Sequence, residues 1–237
     1  MSVFEQYQGK GPAARQPLVR WFHESRTDSL VEFIRTHCHG GRALSVGCGT
    51  GAMESKLRDQ SVFSDIIGLD VVSERVLKTR EKGIPAVRAS APPLPFESNT
   101  FDTVVAAGSI EHLPDEEAFI RDASRILCDG GVLIVTLPIE VGIGGLLRFW
   151  GKNFVHPNRS DTPGGLRRYF SYTYDELLAR TPRNKHGTAH RYYNYRYALN
   201  DLRSAFSSIT RRGWPLPISG VGSPLNFILF VAAFDPV

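Results

Sequence analysis

The stretch LSVGCGTGA, residues 44–52, sets glycines at 47, 49 and 51 directly behind a short apolar run. An apolar run that breaks into alternating glycines reads as a strand entering a tight turn. A residue without a Cβ lets the main chain come close to a small ligand. Alone, the stretch admits a plain tight turn, a dinucleotide site or another nucleoside site. Gly47, Gly49 and Ala52 also satisfy the dinucleotide pattern GxGxxG/A.

The surrounding pattern narrows the fold. RALSVG is a short buried strand, and Met53 to Arg58 starts a helix. DIIGLD (65–70), IPAVRAS, FDTVVAAG (101–108) and VLIVTLP are further short apolar strands. SERVLKTREKG and DEEAFIRDASRIL lie between them with helical periodicity, and Asp129-Gly130-Gly131 reads as the stop of the second. Strand–helix alternation with short links predicts parallel strands with helices on both faces. Near-continuous apolar strands fit burial on both faces. In such sheets ligands collect at the carboxyl ends of the strands. The glycine turn, Asp70, Ser90 and the segment from Gly108 to His112 all fall there.

We read 1–237 as a single domain. Residues 1–40 form an N-terminal helical cap, with Thr27-Asp28 as a break or cap within LVRWFHESRTDSLVEFIRTHC and Gly40-Gly41 as its end. The regular pattern stops after Pro138. Residues 139–187 read as a substrate-side insertion or lid, since long irregular stretches inside a compact domain are usually functional or disordered. YALNDLRSAF is then a helix, and SSITRRG and LNFILFVAAF are two final strands.

Several classes are disfavoured. No apolar run reaches the ~18–20 residues that span a bilayer, and the N-terminus lacks the apolar core of a signal peptide. Three widely spaced cysteines, Cys38, Cys48 and Cys128, do not make a disulfide framework and suit a reduced, cytoplasmic protein. The formal net charge is +4, but it is unevenly spread. From Arg148 to Arg212 there are thirteen Lys/Arg against four Asp/Glu. That half is either a solvated basic face or a surface that meets something anionic.

Asp70 ends the second strand about 20 residues after the glycine turn, where a carboxylate can accept from a ribose hydroxyl pair. The run VRASAPPLPFESNTFDTVVAAGSIEHLPDEEAFIRDASRILCDGGVLIVTLP then resembles the class I S-adenosylmethionine-dependent methyltransferases, in particular the small-molecule type called methyltransferase type 11. The shared features are LSVGCGTG, GLD, LPF…FD, EHL and the R-L-x-x-GG turn. The resemblance is close over Arg42 to Pro138 and looser beyond. It implies a Rossmann-like α/β fold, doubly wound, whose seven-stranded sheet is mostly parallel with an antiparallel last strand.

It also implies S-adenosyl-L-methionine as cofactor. Gly47, Cys48, Gly49 and Gly51 would pass its methionine part, and Asp70 would hold the ribose. Val71 would flank the adenine, Ser90 and Ala91 would meet the adenine edge, and Ala107 and Gly108 would lie beneath the methionine moiety. Ser90 departs from the aspartate common in the family and can accept the adenine amino group only without charge. Cys128-Asp129 replaces a basic residue and proline in a helix-ending turn.

Transfer of an activated methyl needs alignment above all, and an oxygen nucleophile also benefits from a base. His112, just after strand four, is the first candidate for that base. It also fits a histidine that packs and caps at a helix start. Glu111 beside it contacts either cofactor or structure, and His190, before the late helix, is a further candidate. His37 and His39 flank Cys38, but no further metal ligands cluster there, and we assign no metal. The sequence Ala106-Ala107-Gly108-Ser109 lacks the N/D-P-P-Y/F of base-amine methylation, and no Pro-Cys nucleophile is present. Cys128 reads as a core residue, and Cys48 contributes only backbone.

Arg159, Arg167, Arg168 and Tyr192 are candidates for the acceptor site. Forked hydrogen bonds from arginine suit a phosphate or carboxylate. GLLRFWGKNF fits either a lid helix or peripheral membrane contact through residues 143–154. We therefore expect methyl transfer, at oxygen, to a small-molecule acceptor that is phosphorylated, glycosidic or lipid-linked. An RNA methyltransferase is the competing enzyme reading, but no RNA-binding motif accompanies the basic half. A non-catalytic cofactor-binding subunit and a nicotinamide oxidoreductase are the remaining alternatives.

Overall fold

The computed structural model describes residues 17–139, 193–216 and 226–237. In chain order the elements are α1 (Pro17–His37), β1 (Arg42–Val46), α2 (Ala52–Asp59), β2 (Asp65–Asp70), α3 (Ser73–Glu81), β3 (Ala86–Arg88) and β4 (Phe101–Ala106). A 3₁₀ turn (Ile110–His112) follows, then α4 (Glu116–Ile126), β5 (Leu127–Pro138), α5 (Tyr195–Ala205), β6 (Phe206–Trp214) and β7 (Ile228–Pro236).

The strands form one seven-stranded sheet in the order β3-β2-β1-β4-β5-β7-β6. The first five are parallel, and β7 runs antiparallel between β5 and β6. The chain winds outward from β1 in one direction, then crosses to β4 and winds in the other. The crevice between β1 and β4 is therefore the switch point at which such sheets take ligands.

Alternate residues of the central strands serve opposite faces. Leu44, Val104, Leu133 and Val231 pack with Phe119, Ile120 and Ala123 of α4 and with Leu199 and Leu202 of α5. Ala43, Val105, Ile134 and Phe230 pack with Leu30, Phe33 and Ile34 of α1 and with Leu57 of α2. A strand with period two and both faces covered must be apolar throughout, as the sequence pattern predicted.

Three local expectations change. α1 is one unbroken helix across Thr27-Asp28. The Thr27 hydroxyl donates to the His23 carbonyl at 3.0 Å, within the helix, and Asp28 pairs with Lys56 on α2 instead of capping. α4 ends at Ile126, before Asp129-Gly130-Gly131, because Leu127 is already extended and pairs with Phe101 of β4. The glycines instead occupy an irregularity in β5, and Val132 resumes the pairing opposite Thr103. Cys128 accordingly lies half-buried in that irregularity and is not a core residue.

Candidate cofactor site

Each part of the site is held by a neighbour across the sheet. Gly47 and Cys48 both donate to the Leu69 carbonyl of β2, at 2.7 and 3.0 Å. Gly49 donates to Asp70 Oδ2 at 3.0 Å, and Asp70 Oδ1 accepts from the Val72 amide at 2.9 Å. Asp70 is buried, yet each carboxylate oxygen spends only one of its acceptor sites on these bonds. Arg75 of α3 approaches Asp70 Oδ2 at 3.7 Å.

Gly47 has φ +76°, and a Cβ there would lie 2.5 Å from the Ser109 Cβ. The Ser109 hydroxyl in turn donates to the Val46 carbonyl at 2.7 Å, tying the turn after β4 to the end of β1. Gly49 and Gly108 differ. Their φ values are +57° and +67°, and an added Cβ would meet nothing within 4 Å. These two glycines expose main chain toward open space on either side of the switch point. The Gly108 amide is itself held by Thr136 Oγ1 at 2.8 Å.

The Cys48 side chain points away, against Gly68 and Thr79. Burial, reinforced by the nearby Glu54 charge, pushes its thiol up to about 12, so only its backbone faces the site. Val71 is exposed directly beyond Asp70. Ser90 is exposed beyond β3, whereas Ala91 is buried in the core and offers main chain alone.

His112 closes the 3₁₀ turn after β4 and is half-buried, as is Glu111 beside it. Burial, then the charge of Arg75, holds the His112 pKa below its ordinary 6.5. Arg75 thus acts on both Asp70 and His112. The structure therefore gathers Gly47, Cys48, Ala107 and Gly108 along one cleft, with Asp70 bonded to its loop. His190, Arg159, Arg167, Arg168 and Tyr192 lie outside the described residues, as do residues 140–187 of the expected insertion and the segment 143–154.

The motifs farther from the cleft fasten the sheet. The Arg42 amide donates to Asp102 Oδ2 at 2.7 Å, so the aspartate of FDTVV caps the start of β1. The Leu94 amide donates to Asp122 of α4, and Arg125 donates to the carbonyls of Phe96 and Leu94 at 2.9 and 3.2 Å. Residues 44–135 match the family model described as a methyltransferase domain.

Over residues 44–135 the chain is similar to a methyltransferase domain, and its fold is that of solved S-adenosylmethionine-dependent methyltransferases.

The chain has curated relatives over about half of its length. It is 33% identical over 124 residues to 2-methyl-6-phytyl-1,4-hydroquinone methyltransferase 1, chloroplastic, of Oryza sativa, an alignment covering 51% of this chain and 37% of that protein. It is 29% identical over 122 residues to the fatty-acid O-methyltransferase of Mycolicibacterium smegmatis, covering 50% of this chain and 42% of that protein. The matched stretch thus spans less than half the length of either relative. In the solved structures, a methyltransferase from Thermotoga maritima superimposes with a TM-score of 0.60 at 18% identity, covering 91% of this chain and 93% of that one. At that identity the likeness speaks for the fold.

Three residues of the candidate site escaped the sequence reading: Arg75, Thr136 and Glu54. Glu54 is the one with a readable signal. It stands three residues before the buried Leu57, on the inward face of α2. It is 1% exposed, and its Oε1 accepts from the Ser45 hydroxyl of β1 at 2.6 Å. Its Oε2 has no hydrogen-bond partner among the described residues. Burial raises its pKa, the Ser45 hydrogen bond opposes the rise, and smaller effects come from Lys82, which lowers it, and Asp70, which raises it.

Proposed function

We propose that the chain transfers a methyl group from S-adenosyl-L-methionine to the oxygen of a small, largely apolar or lipid-linked acceptor. The open main chain at Gly49 and Gly108, facing the switch point beside Asp70, carries this reading. The absence of any atom within 4 Å of a Cβ built at either glycine supports close approach of a ligand to the main chain there.

When bound, that cofactor supplies a methyl group on a positively charged sulfur that leaves as a neutral thioether. The remaining work belongs to the chain. Asp70 accepts from the ribose hydroxyls with the lone pairs that Gly49 and Val72 leave open. The exposed Val71 side chain gives the adenine an apolar flank, and Ser90 accepts from its edge. Gly49 and Gly108 would let the cofactor lie close against the main chain, and Gly47 would keep the loop packed on Ser109, so that the methyl group could be aligned with the acceptor. Alignment of this kind supplies roughly 7–11 kcal/mol of a displacement barrier. His112 takes the acceptor's hydroxyl proton onto an imidazole nitrogen as the new carbon–oxygen bond forms. Its depressed pKa supports that role, because the ring is neutral at neutral pH.

For the acceptor, the relatives named for a phytyl hydroquinone and for fatty acids favour a molecule with a long apolar part. The basic composition of 148–212 adds an anionic group, with Arg159, Arg167 and Arg168 as its contacts and residues 139–187 as the lid above it. Residues 143–154 would bring that lid to a membrane surface where such acceptors reside.

The test is incubation of the purified chain with methyl-labelled S-adenosylmethionine and a panel of acceptors: prenylated hydroquinones, fatty acids, isoprenyl phosphates and RNA. Label on oxygen of a lipid acceptor is the expected result. Label on ring carbon replaces the oxygen assignment, label in RNA replaces the small-molecule assignment, and no label anywhere overturns the enzyme reading.

A further inference from the structure

Glu54 is a buried carboxylate with one oxygen engaged and one not. A buried acceptor without a partner is costly, and a buried anion more so. Natural structures keep such groups where a ligand completes them. The surroundings indicate which ligand group this is. Glu54 lines the same cleft as Gly47, Gly108 and Thr136, on the side where α1 covers the glycine loop. Arg26 of α1 lines it too. The cleft is thus lined by one acidic and one basic side chain, the pair of groups that a zwitterion calls for. The cleft, which is open on one side, has a volume of about 110 Å³. A single water needs about 10–15 Å³ by the same measure, so a short chain of heavy atoms has room.

We infer that Glu54 Oε2 is the acceptor for the α-ammonium group of the methyl donor's amino-acid end, with Ser45 fixing the carboxylate through Oε1. The assignment deepens the donor reading above and rests on it. Ser45 is the residue that makes Glu54 directional. Its hydroxyl, on the buried strand β1, holds Oε1 and leaves Oε2 as the oxygen with no hydrogen bond among the described residues. The charged groups that act on the carboxylate are Asp70 at the end of β2 and Lys82 after α3. An ammonium ion brought to Oε2 supplies both the missing hydrogen bond and a compensating charge.

Calorimetry with two probes tests this without turnover. One probe is S-adenosylhomocysteine. The other is its desamino analogue, in which hydrogen replaces the α-ammonium. The wild-type chain should bind S-adenosylhomocysteine about 10- to 100-fold more tightly, the range expected for a charged hydrogen bond. Glu54→Gln should bring the two affinities to within about threefold of each other, mostly by weakening S-adenosylhomocysteine. The wild-type comparison needs no variant to fold. Equal affinities in the wild type, or a preference that survives in Glu54→Gln, overturns the assignment and leaves the donor reading standing. Failure of the wild type to bind either probe overturns the donor reading and this assignment with it.

Discussion

The Asp70 carboxylate accepts the Gly49 amide proton at 3.0 Å, so the residue that ends β2 also fixes the middle glycine of the loop after β1. Two functions are coupled in one side chain: shaping the loop and presenting lone pairs to a ribose. Asp70→Asn replaces one acceptor oxygen with an NH2 donor, which must then face the N–H of either Gly49 or Val72. We expect a stability loss of about 1–3 kcal/mol by chemical denaturation. S-adenosylhomocysteine should bind at least tenfold more weakly by calorimetry. Unchanged affinity would detach Asp70 from the cofactor.

Gly47→Ala should be damaging for two reasons at once. The backbone at φ +76° disfavours a side chain, and the new Cβ would meet the Ser109 Cβ at 2.5 Å. Together these cost about 2–4 kcal/mol. Gly49→Ala shares the unfavourable φ but has open space. It should lose only about 1–2 kcal/mol of stability, while its cofactor affinity drops because the methyl group occupies ligand space. A comparison of denaturation midpoints with binding isotherms separates the pair.

Much of this site was legible because it is local in sequence. The glycine turn, the strand that precedes it and Asp70 lie within 27 residues, from Leu44 to Asp70, and each is marked by its residue type. Thr136 and Arg75 were not legible, because neither residue type nor spacing marks them. Thr136 matters only because β5 lies beside β4, bringing its hydroxyl to Gly108. Asp28 reads locally as a break or cap, but its partner Lys56 stands on another helix. The glycines at 130 and 131 read as a helix stop, but pairing of Leu127 with Phe101 ended the helix first.

Thr136→Val is nearly isosteric and removes the acceptor for the Gly108 amide. We expect about 1–2 kcal/mol of destabilisation. Gly108 should also exchange its amide hydrogen faster than in the wild type, because the turn after β4 loses its tether to β5. Unaltered protection at Gly108 would show the bond to be dispensable.

His112 titrates below 6.5 because it is buried and because Arg75 carries like charge. The acid limb of the kcat/KM profile should therefore lie below pH 6.5. Arg75→Met should move it upward, since removing a nearby cation eases protonation of the ring. His112→Gln should remove the limb. Carbon-attached proton signals of His112 followed by NMR against pH give the same shift without substrate. A downward move in Arg75→Met would contradict the arrangement.

Glu54 makes the cofactor-free protein sensitive to pH in a defined direction. Its folded pKa is raised above 4.5, so the folded state holds a proton that the unfolded state has released. The stabilisation is complete below pH 4.5 and declines as pH rises toward the folded value. The stability of the wild type relative to Glu54→Gln should thus decline as pH rises from about 4.5. Bound S-adenosylhomocysteine should flatten the decline. Urea denaturation of both proteins across that window measures it.

The position of β7 between β5 and β6 has a consequence for synthesis. Among the described residues β6 pairs with β7 alone, and β5 presents seven residues, Val132 to Pro138, to the same strand. A growing chain that has emitted β6 must therefore hold two unpaired edges until Ile228–Pro236 leave the ribosome. The sheet is then completed from its interior, in a single late event. Until β7 is available, the facing edges of β5 and β6 are open to edge-to-edge pairing with other chains.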